Sequence, residues 1–283
     1  MYDLIIIGGG PAGISASLYA LRANLNIAII ENGPQALAKA HKIDNYYGLS
    51  MSGTELYAAG IQQALNLGAE IIHDEVVSIE YIGDFSVATK NNTFTAKAII
   101  LATGTQTQTL KLDNLTQLEG KGISYCAVCD GFFFRGKKVA VLGNGAYALH
   151  EAEYLSHLAQ SVTILTNGKD AQLAEQQGLA VNTKQLASVC GTDKLTGVTF
   201  ADGSEENFDG LFIALGTADS SALARKLGLQ LNGKFIAAEA DGSTNIPGLF
   251  AAGDCIGGFM QVAKAVSDGA AAGTAAIKFI RNK

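Results

Sequence analysis

The chain has 283 residues, 48% of them apolar and 16% charged, with a net charge of −6. That length accommodates two domains of ~100–200 residues each. The acidic balance excludes a dominant role on nucleic acid or on an anionic membrane surface, because phosphate binding needs a basic face. No apolar run reaches the ~18 residues of a spanning helix. The N-terminus passes straight into Tyr2-Asp3-Leu4-Ile5-Ile6-Ile7, without a basic segment or a cleavage site. Neither a signal peptide nor a membrane anchor is therefore expected, and the chain reads as cytoplasmic.

In chain order, the apolar run Tyr2–Ile7 predicts a strand. The turn Gly8-Gly9-Gly10-Pro11-Ala12-Gly13 follows it, then a helix over Ile14–Leu21 and a second strand, Asn26–Ile30, that ends on Glu31. Strand, glycine turn, helix, strand and acid form the dinucleotide-binding pattern. The glycines allow the tight turn and the close approach of backbone to a pyrophosphate at the helix N-terminus, and the acid meets a ribose hydroxyl. A glycine-rich turn that only packs a helix on a sheet is the alternative, and the correctly placed Glu31 argues against it. A β-rich stretch, Glu75–Thr95, precedes the strand Lys97–Leu101, which runs into Ala102-Thr103-Gly104.

The design then repeats. Val139–Leu142 predicts a strand, Gly143-Asn144-Gly145-Ala146-Tyr147-Ala148 the turn, a helix extends to about Leu158, and Val162–Leu165 is the next strand. Ala148 stands where the third glycine belongs, a replacement that this fingerprint tolerates. Strand-like Gly197–Phe200 and Leu211–Leu215 come next. Then Ile246-Pro247-Gly248-Leu249-Phe250-Ala251-Ala252-Gly253-Asp254 leads to an alanine-rich helix over Gln261–Ile280. Strands alternating with helices predict an α/β fold with parallel sheets. The connections Leu110–Asn114 and Gly216–Ser221 read as hinges.

Between the two copies lies Cys126-Ala127-Val128-Cys129-Asp130-Gly131. Thiol–disulfide exchange needs a thiolate, and a C-x-x-C pair near a helix start lowers a thiol pKa. Such a pair is also half of a structural zinc site, which requires a second pair of ligands. Cys190 and Cys255 stand far apart, with no histidine close to either in sequence, so no metal is expected. Both read as small buried fillers.

The ordered motifs GGGPAG, ATG, CxxCD, GxGxxA and GLFAAGD, with Ile43-Asp44-Asn45-Tyr46-Tyr47-Gly48 and Gly53-Thr54-Glu55-Leu56, run along essentially the whole chain. In these motifs the chain resembles the low-molecular-weight thioredoxin reductases. The resemblance implies two Rossmann-like domains, the second inserted into the first. A discontinuous FAD-binding domain would span 1–111 and 217–283, and an NAD(P)-binding-like domain carrying the dithiol would span 112–216. It implies a homodimer, FAD as cofactor and a thioredoxin-like protein as substrate. Gly8, Gly10, Ala12 and Gly13 would hold the FAD pyrophosphate and Glu31 the adenosine ribose. Asn45 would lie near the flavin, Thr103, Gly104 and Gly253 would line the cofactor site, Asp254 would meet the ribityl or phosphate side, and Gln261 would sit by the isoalloxazine. The family usually has Arg-Gln here, where this chain reads Met260-Gln261. By the same resemblance Cys129 faces the flavin, Cys126 attacks the substrate disulfide and Asp130 protonates the leaving thiolate. A plain N-cap on the following turn is the alternative for Asp130.

One motif of the family is missing. Gly8 to Glu31 is a step of 23 residues, and the same step from Gly143 lands on Thr166. Thr166-Asn167-Gly168 offers neither an acid for an NAD ribose nor an arginine for an NADP 2′-phosphate. NADPH-dependent members carry His-Arg-Arg at this place. Lys169 is a poor substitute for a bidentate guanidinium, and Asp170 would need the loop rearranged. Tyr147 and His150 put bulk where a pyrophosphate would lie, and the insert is shortened after Gln172. In this respect the chain resembles the ferredoxin-dependent flavin thioredoxin reductases and the diflavin-linked disulfide oxidoreductases. Ferredoxin is the expected donor; a degenerate NAD(P)H site or a second bound flavin are the alternatives. Because ferredoxins and this chain are both acidic, docking would need a local basic patch. Arg135, Lys137 and Lys138 are candidates, and equally are ordinary solvated charges. A ferredoxin–NAD(P)+ reductase would lack the C-x-x-C pair, and a flavin-bearing sensor would have no use for it.

Overall fold

The computed structural model describes the chain except for residues 35, 105–111, 171–178, 216–219 and 234 and the side chains of 220–222. The expected hinges fall largely on these stretches: 110–111 and 216–219 lie outside the described residues. The chain divides into two compact units, one formed by Met1–Thr105 with Asp219–Lys283 and the other by Gln106–Ala218.

The first unit is built on a seven-stranded sheet. Glu70–His73, Ile27–Glu31, Tyr2–Ile7, the C-terminal part of Thr93–Leu101 and Leu249–Ala251 run parallel in that order. The strands covered on both faces, Ile27–Glu31, Leu249–Ala251 and most of Tyr2–Ile7, read as unbroken apolar runs rather than alternating ones. Thr93–Leu101 does two jobs along its length. Its last four residues are all buried between parallel neighbours, while its first half pairs antiparallel with Asp84–Thr89. Asp84–Thr89 pairs in turn with Val76–Ile82, and its strict alternation of buried and half-buried residues is the mark of a strand with one face toward the core.

Helix Pro11–Arg22 starts directly after the glycine turn with proline in its first position, where the missing N–H costs nothing. Helix Gly53–Asn66 opens with a capping box. The Ser52 hydroxyl accepts from the Glu55 N–H at 3.2 Å, and the Glu55 carboxylate accepts from the Ser52 N–H at 2.8 Å. The C-terminal helix Val262–Asn282 packs on Pro11–Arg22 through a face of small residues. A Cβ on Gly269 would fall 2.0 Å from the Ala12 carbonyl oxygen, and one on Gly273 would fall 2.7 Å from that of Ala16.

The second unit repeats the plan with a five-stranded parallel sheet, in the order Ala180–Asn182, Ser161–Leu165, Lys138–Leu142, Gly210–Ile213, Ile123–Ser124. Helix Ala146–Ser156 crosses from Lys138–Leu142 to Ser161–Leu165. A three-stranded antiparallel sheet, Leu186–Cys190, Gly197–Phe200 and Glu205–Asn207, completes it. Its core is separate from that of the first unit and includes Leu118, Leu142, Leu165, Val198 and Leu211.

The close helix approach in the first unit generates a prediction. Gly269→Ala places a methyl group inside the Ala12 carbonyl, so urea denaturation should show a loss of about 2 kcal/mol or more. A midpoint equal to wild type would show that the two helices do not approach at backbone distance.

Candidate active site

The dithiol segment sits at the edge of the second sheet. Strand Ile123–Ser124 ends just before Cys126, and Cys126 is the N-cap of the short helix Ala127–Asp130. Cys126 and Cys129 are joined by a disulfide with their Cα atoms 5.3 Å apart. The Cys129 N–H donates to the Cys126 sulfur at 3.1 Å, so a backbone donor is already aimed at the sulfur on which charge would form. Cys126 is 2% exposed, whereas Cys129 lies at the surface. Asp130 occupies the N-cap position of the following turn, Gly131–Phe134, but its side chain caps nothing there. The carboxylate instead accepts from the Ser124 hydroxyl at 2.6 Å, and that hydroxyl accepts from the Cys126 N–H at 3.1 Å. Around the turn, Val128, Phe132 and Phe133 are exposed apolar side chains, and the Arg135 guanidinium lies 5.3 Å from the Phe132 ring centre.

The first glycine turn holds its residues for different reasons. Gly8 has φ +113, and a Cβ there would lie 2.3 Å from the Ala102 oxygen; one on Gly13 would lie 1.9 Å from the Gly8 oxygen. Those two glycines are required by the fold itself. Gly10 is not: its φ of −76 suits any residue, and a Cβ there would meet nothing within 4 Å. Ala12 is buried, with its methyl under Gly253 and its backbone against Gly269. Glu31 is buried at the end of its strand. It accepts from the Gly33 N–H at 2.7 Å and from the Tyr57 hydroxyl, and its other oxygen meets His73 Nδ1. The carboxylate and its own burial hold the Tyr57 hydroxyl well above the usual phenol range. Thr103 follows the strand Thr93–Leu101 directly, and its buried hydroxyl has no partner among the described residues.

At the other end of this unit, Asn45 donates to the Gln261 side-chain oxygen at 2.9 Å across 216 residues of sequence. Gly253, at φ +82, turns the chain from strand Leu249–Ala251 toward Asp254. Lys264 braces that turn, with its ammonium 2.5 Å from the Gly257 oxygen, 3.2 Å from the Gly253 oxygen and 2.7 Å from Asp268. Burial raises the Asp254 carboxyl; the Lys264 charge opposes that shift and Asp268 adds to it.

Known proteins share both halves of this arrangement. The family model described as pyridine nucleotide-disulphide oxidoreductase matches residues 2–269. The chain belongs to that family. A thioredoxin reductase from Mycoplasma genitalium is 36% identical over 96% of this chain and 93% of its own length. Among solved structures, the atypical thioredoxin reductase TRi from Desulfovibrio vulgaris Hildenborough is 42% identical with a TM-score of 0.95, covering 100% of this chain and 99% of that one. A ferredoxin-flavin thioredoxin reductase from Clostridium acetobutylicum is 30% identical with a TM-score of 0.75, again over 100% and 99% of the two chains. The chain is a FAD-dependent oxidoreductase of the thioredoxin reductase type.

As a member of this family it should have room for FAD in the first unit, and the residues fit. Gly10 leaves space that no protein atom claims. The amides opening helix Pro11–Arg22 are capped by no side chain, and the Thr103 hydroxyl lacks a protein partner. The second unit differs. Gly143 is required by packing, since a Cβ would lie 2.1 Å from the Ala214 oxygen. The segment Thr166–Asp170 is folded onto itself: Thr166 is buried with its hydroxyl on the Lys169 oxygen at 2.7 Å, and Asn167 adopts φ +53 while accepting from the Leu186 N–H at 2.8 Å. Asn144 reaches from the glycine turn to the Asp170 carbonyl at 3.4 Å.

Tyr147 is 2% exposed, with its hydroxyl 3.4 Å from the Tyr125 oxygen. The shortening after Gln172 falls on 171–178, outside the described residues. Cys255 is the filler expected of it. It is buried with its thiol on the Leu101 and Ala252 oxygens at 3.3 and 3.2 Å, and burial pushes that thiol up to about 12. Cys190 is partly exposed, its sulfur 3.1 Å from the Thr199 hydroxyl.

Tyr57, His73 and Glu151 escaped the sequence reading because none belongs to a motif and each meets its partner only through tertiary contact; Ser124 and Lys264 meet theirs within a few residues but belong to no motif either. The glycine geometry gives a sharp test. Gly10→Val should leave the urea midpoint within ~0.5 kcal/mol of wild type, as for an unobstructed surface position, while FAD is lost on dialysis. A variant that keeps its flavin would remove Gly10 from the cradle.

Proposed function

We propose that this chain reduces a thioredoxin-like protein disulfide through Cys126 and Cys129, with reducing equivalents from a ferredoxin-type protein rather than from NAD(P)H. The observation that carries the donor assignment is the turn Thr166–Asp170. Its residues Thr166-Asn167-Gly168 place neither an acid nor an arginine where a nucleotide ribose would need one, and Asn144 ties the segment to the glycine turn through the Asp170 carbonyl. The ferredoxin-flavin relative, at a TM-score of 0.75, supports the same reading.

FAD supplies a carrier that takes electrons singly and gives a pair to a disulfide. Gly8, Gly10, Ala12 and Gly13 would cradle its pyrophosphate and Glu31 its ribose. Thr103, Gly104, Gly253 and Asp254 would line its length, with Asn45 and Gln261 at the ring. Cys129 would be the sulfur that exchanges electrons with the flavin. The reduced Cys126 attacks one sulfur of the substrate disulfide as a thiolate, and the displaced sulfur leaves with a proton from Asp130, which Ser124 holds beside the turn. Cys129 then attacks Cys126, releasing the second substrate thiol and restoring the bridge. The exposed Val128, Phe132 and Phe133 suit a protein surface as substrate. With Cys126 at 2% exposure, a protein disulfide can reach it only after a conformational opening around the dithiol turn. A homodimer in the cytoplasm is part of this reading. It accords with free Cys190 and Cys255 and with the lack, among the described residues, of a helix long and apolar enough to cross a membrane.

The test is an anaerobic titration that follows bleaching of the flavin band with NADPH, NADH and photoreduced ferredoxin in turn. Ferredoxin alone should bleach wild type rapidly. Cys126→Ser should retain FAD and still be bleached, but fail to reduce thioredoxin. Rapid bleaching by NADPH overturns the donor assignment, and thioredoxin turnover by Cys126→Ser overturns the dithiol mechanism.

A further inference from the structure

Glu151 is 1% exposed on helix Ala146–Ser156, and its position is unusual for a carboxylate. One of its oxygens accepts from the Ala127 N–H at 2.8 Å. That amide is the first of the dithiol helix, a donor left without an intrahelical partner by helix geometry. The other oxygen lies 3.6 Å from His150 Nδ1. The turn is also seated on this helix by contact. A Cβ on Gly131 would meet Leu155 at 3.1 Å and Leu158 at 3.3 Å.

We propose that Glu151 is a positioning residue for the dithiol, holding the Cys126–Ala127 backbone through one oxygen and setting a charge beside the cysteine that attacks. This rests on the dithiol reading above and extends it. It also gives the second unit a use that needs no nucleotide, because the helix that elsewhere binds a pyrophosphate here anchors the redox turn.

The physical consequence follows from charge. A buried carboxylate near Cys126 disfavours the thiolate, since like charges repel strongly where water is excluded. The other ionisable groups on this turn are Asp130, held through Ser124, and the Tyr147 hydroxyl, which reaches the Tyr125 oxygen at 3.4 Å. Glu119 holds the Tyr125 hydroxyl at 2.6 Å. None of these touches Ala127 N–H, so Glu151 can be altered separately.

The test uses the FAD-loaded full chain equilibrated in dithiothreitol redox buffers across a pH series. Acid quenching, alkylation after denaturation and mass spectrometry then give the reduced fraction of Cys126–Cys129. Glu151→Gln keeps the acceptor and removes the charge. Its break in the pH profile should move about one unit lower, and above that break the reduced form should gain about tenfold, ~30 mV for a two-electron couple. Hydrogen exchange at the Ala127 amide should be slow in wild type and Glu151→Gln, and at least tenfold faster in Glu151→Leu. A Glu151→Gln profile that superimposes on wild type overturns the inference, whether or not Glu151→Leu folds. A pair that no buffer reduces overturns the dithiol reading itself.

Discussion

The C-terminal helix Val262–Asn282 and the first helix Pro11–Arg22 approach at backbone distance, and the first unit is organised by that approach. It is possible only because Ala12 and Ala16 face Gly269 and Gly273; any larger pair would hold the helices apart. Since the two helices come from opposite ends of the chain, their contact brings the turn Gly253–Ile256 onto the glycine turn that begins at Gly8. Asp254 and Gln261 acquire their places from this packing and not from their neighbours in sequence. The Lys264–Asp268 pair then braces the turn against the helix that carries it.

The second unit has the same skeleton and uses it differently. In the first, the glycine turn leaves Gly10 open and the second strand ends on a buried acid. In the second, Gly143 is packed against Ala214, and the residues after Ser161–Leu165 bond to each other and to Asn144. A parallel sheet needs crossover helices whether or not it binds a nucleotide, so the fold can outlast the ligand. What the helix Ala146–Ser156 visibly supports is the dithiol turn, through the Glu151 carboxylate and the leucines under Gly131.

Much of this was legible beforehand because it is local. Both strand–turn–helix copies, the alternating region before Leu101 and the C-terminal helix follow from apolar periodicity and glycine placement, and their ends differ from expectation by up to four residues. Thr166-Asn167-Gly168 could be recognised as deficient by counting from Gly143. Of the two readings of Asp130, the N-cap falls, because the carboxylate accepts from the Ser124 hydroxyl at 2.6 Å and caps nothing.

The sequence by itself determined the elements, their order, the redox pair and the missing nucleotide motif, since each is written in residues a few positions apart. Tertiary structure alone decided which glycines serve packing and which leave space. It decided too that Asn45 meets Gln261, that Glu31 is shared with Tyr57 and His73, and that a buried carboxylate holds the dithiol turn. The reason is physical. A buried polar group must find a partner wherever the fold supplies one; Ala127 for Glu151 and Tyr57 for Glu31 lie 24 and 26 residues away along the chain, beyond the reach of any local pattern.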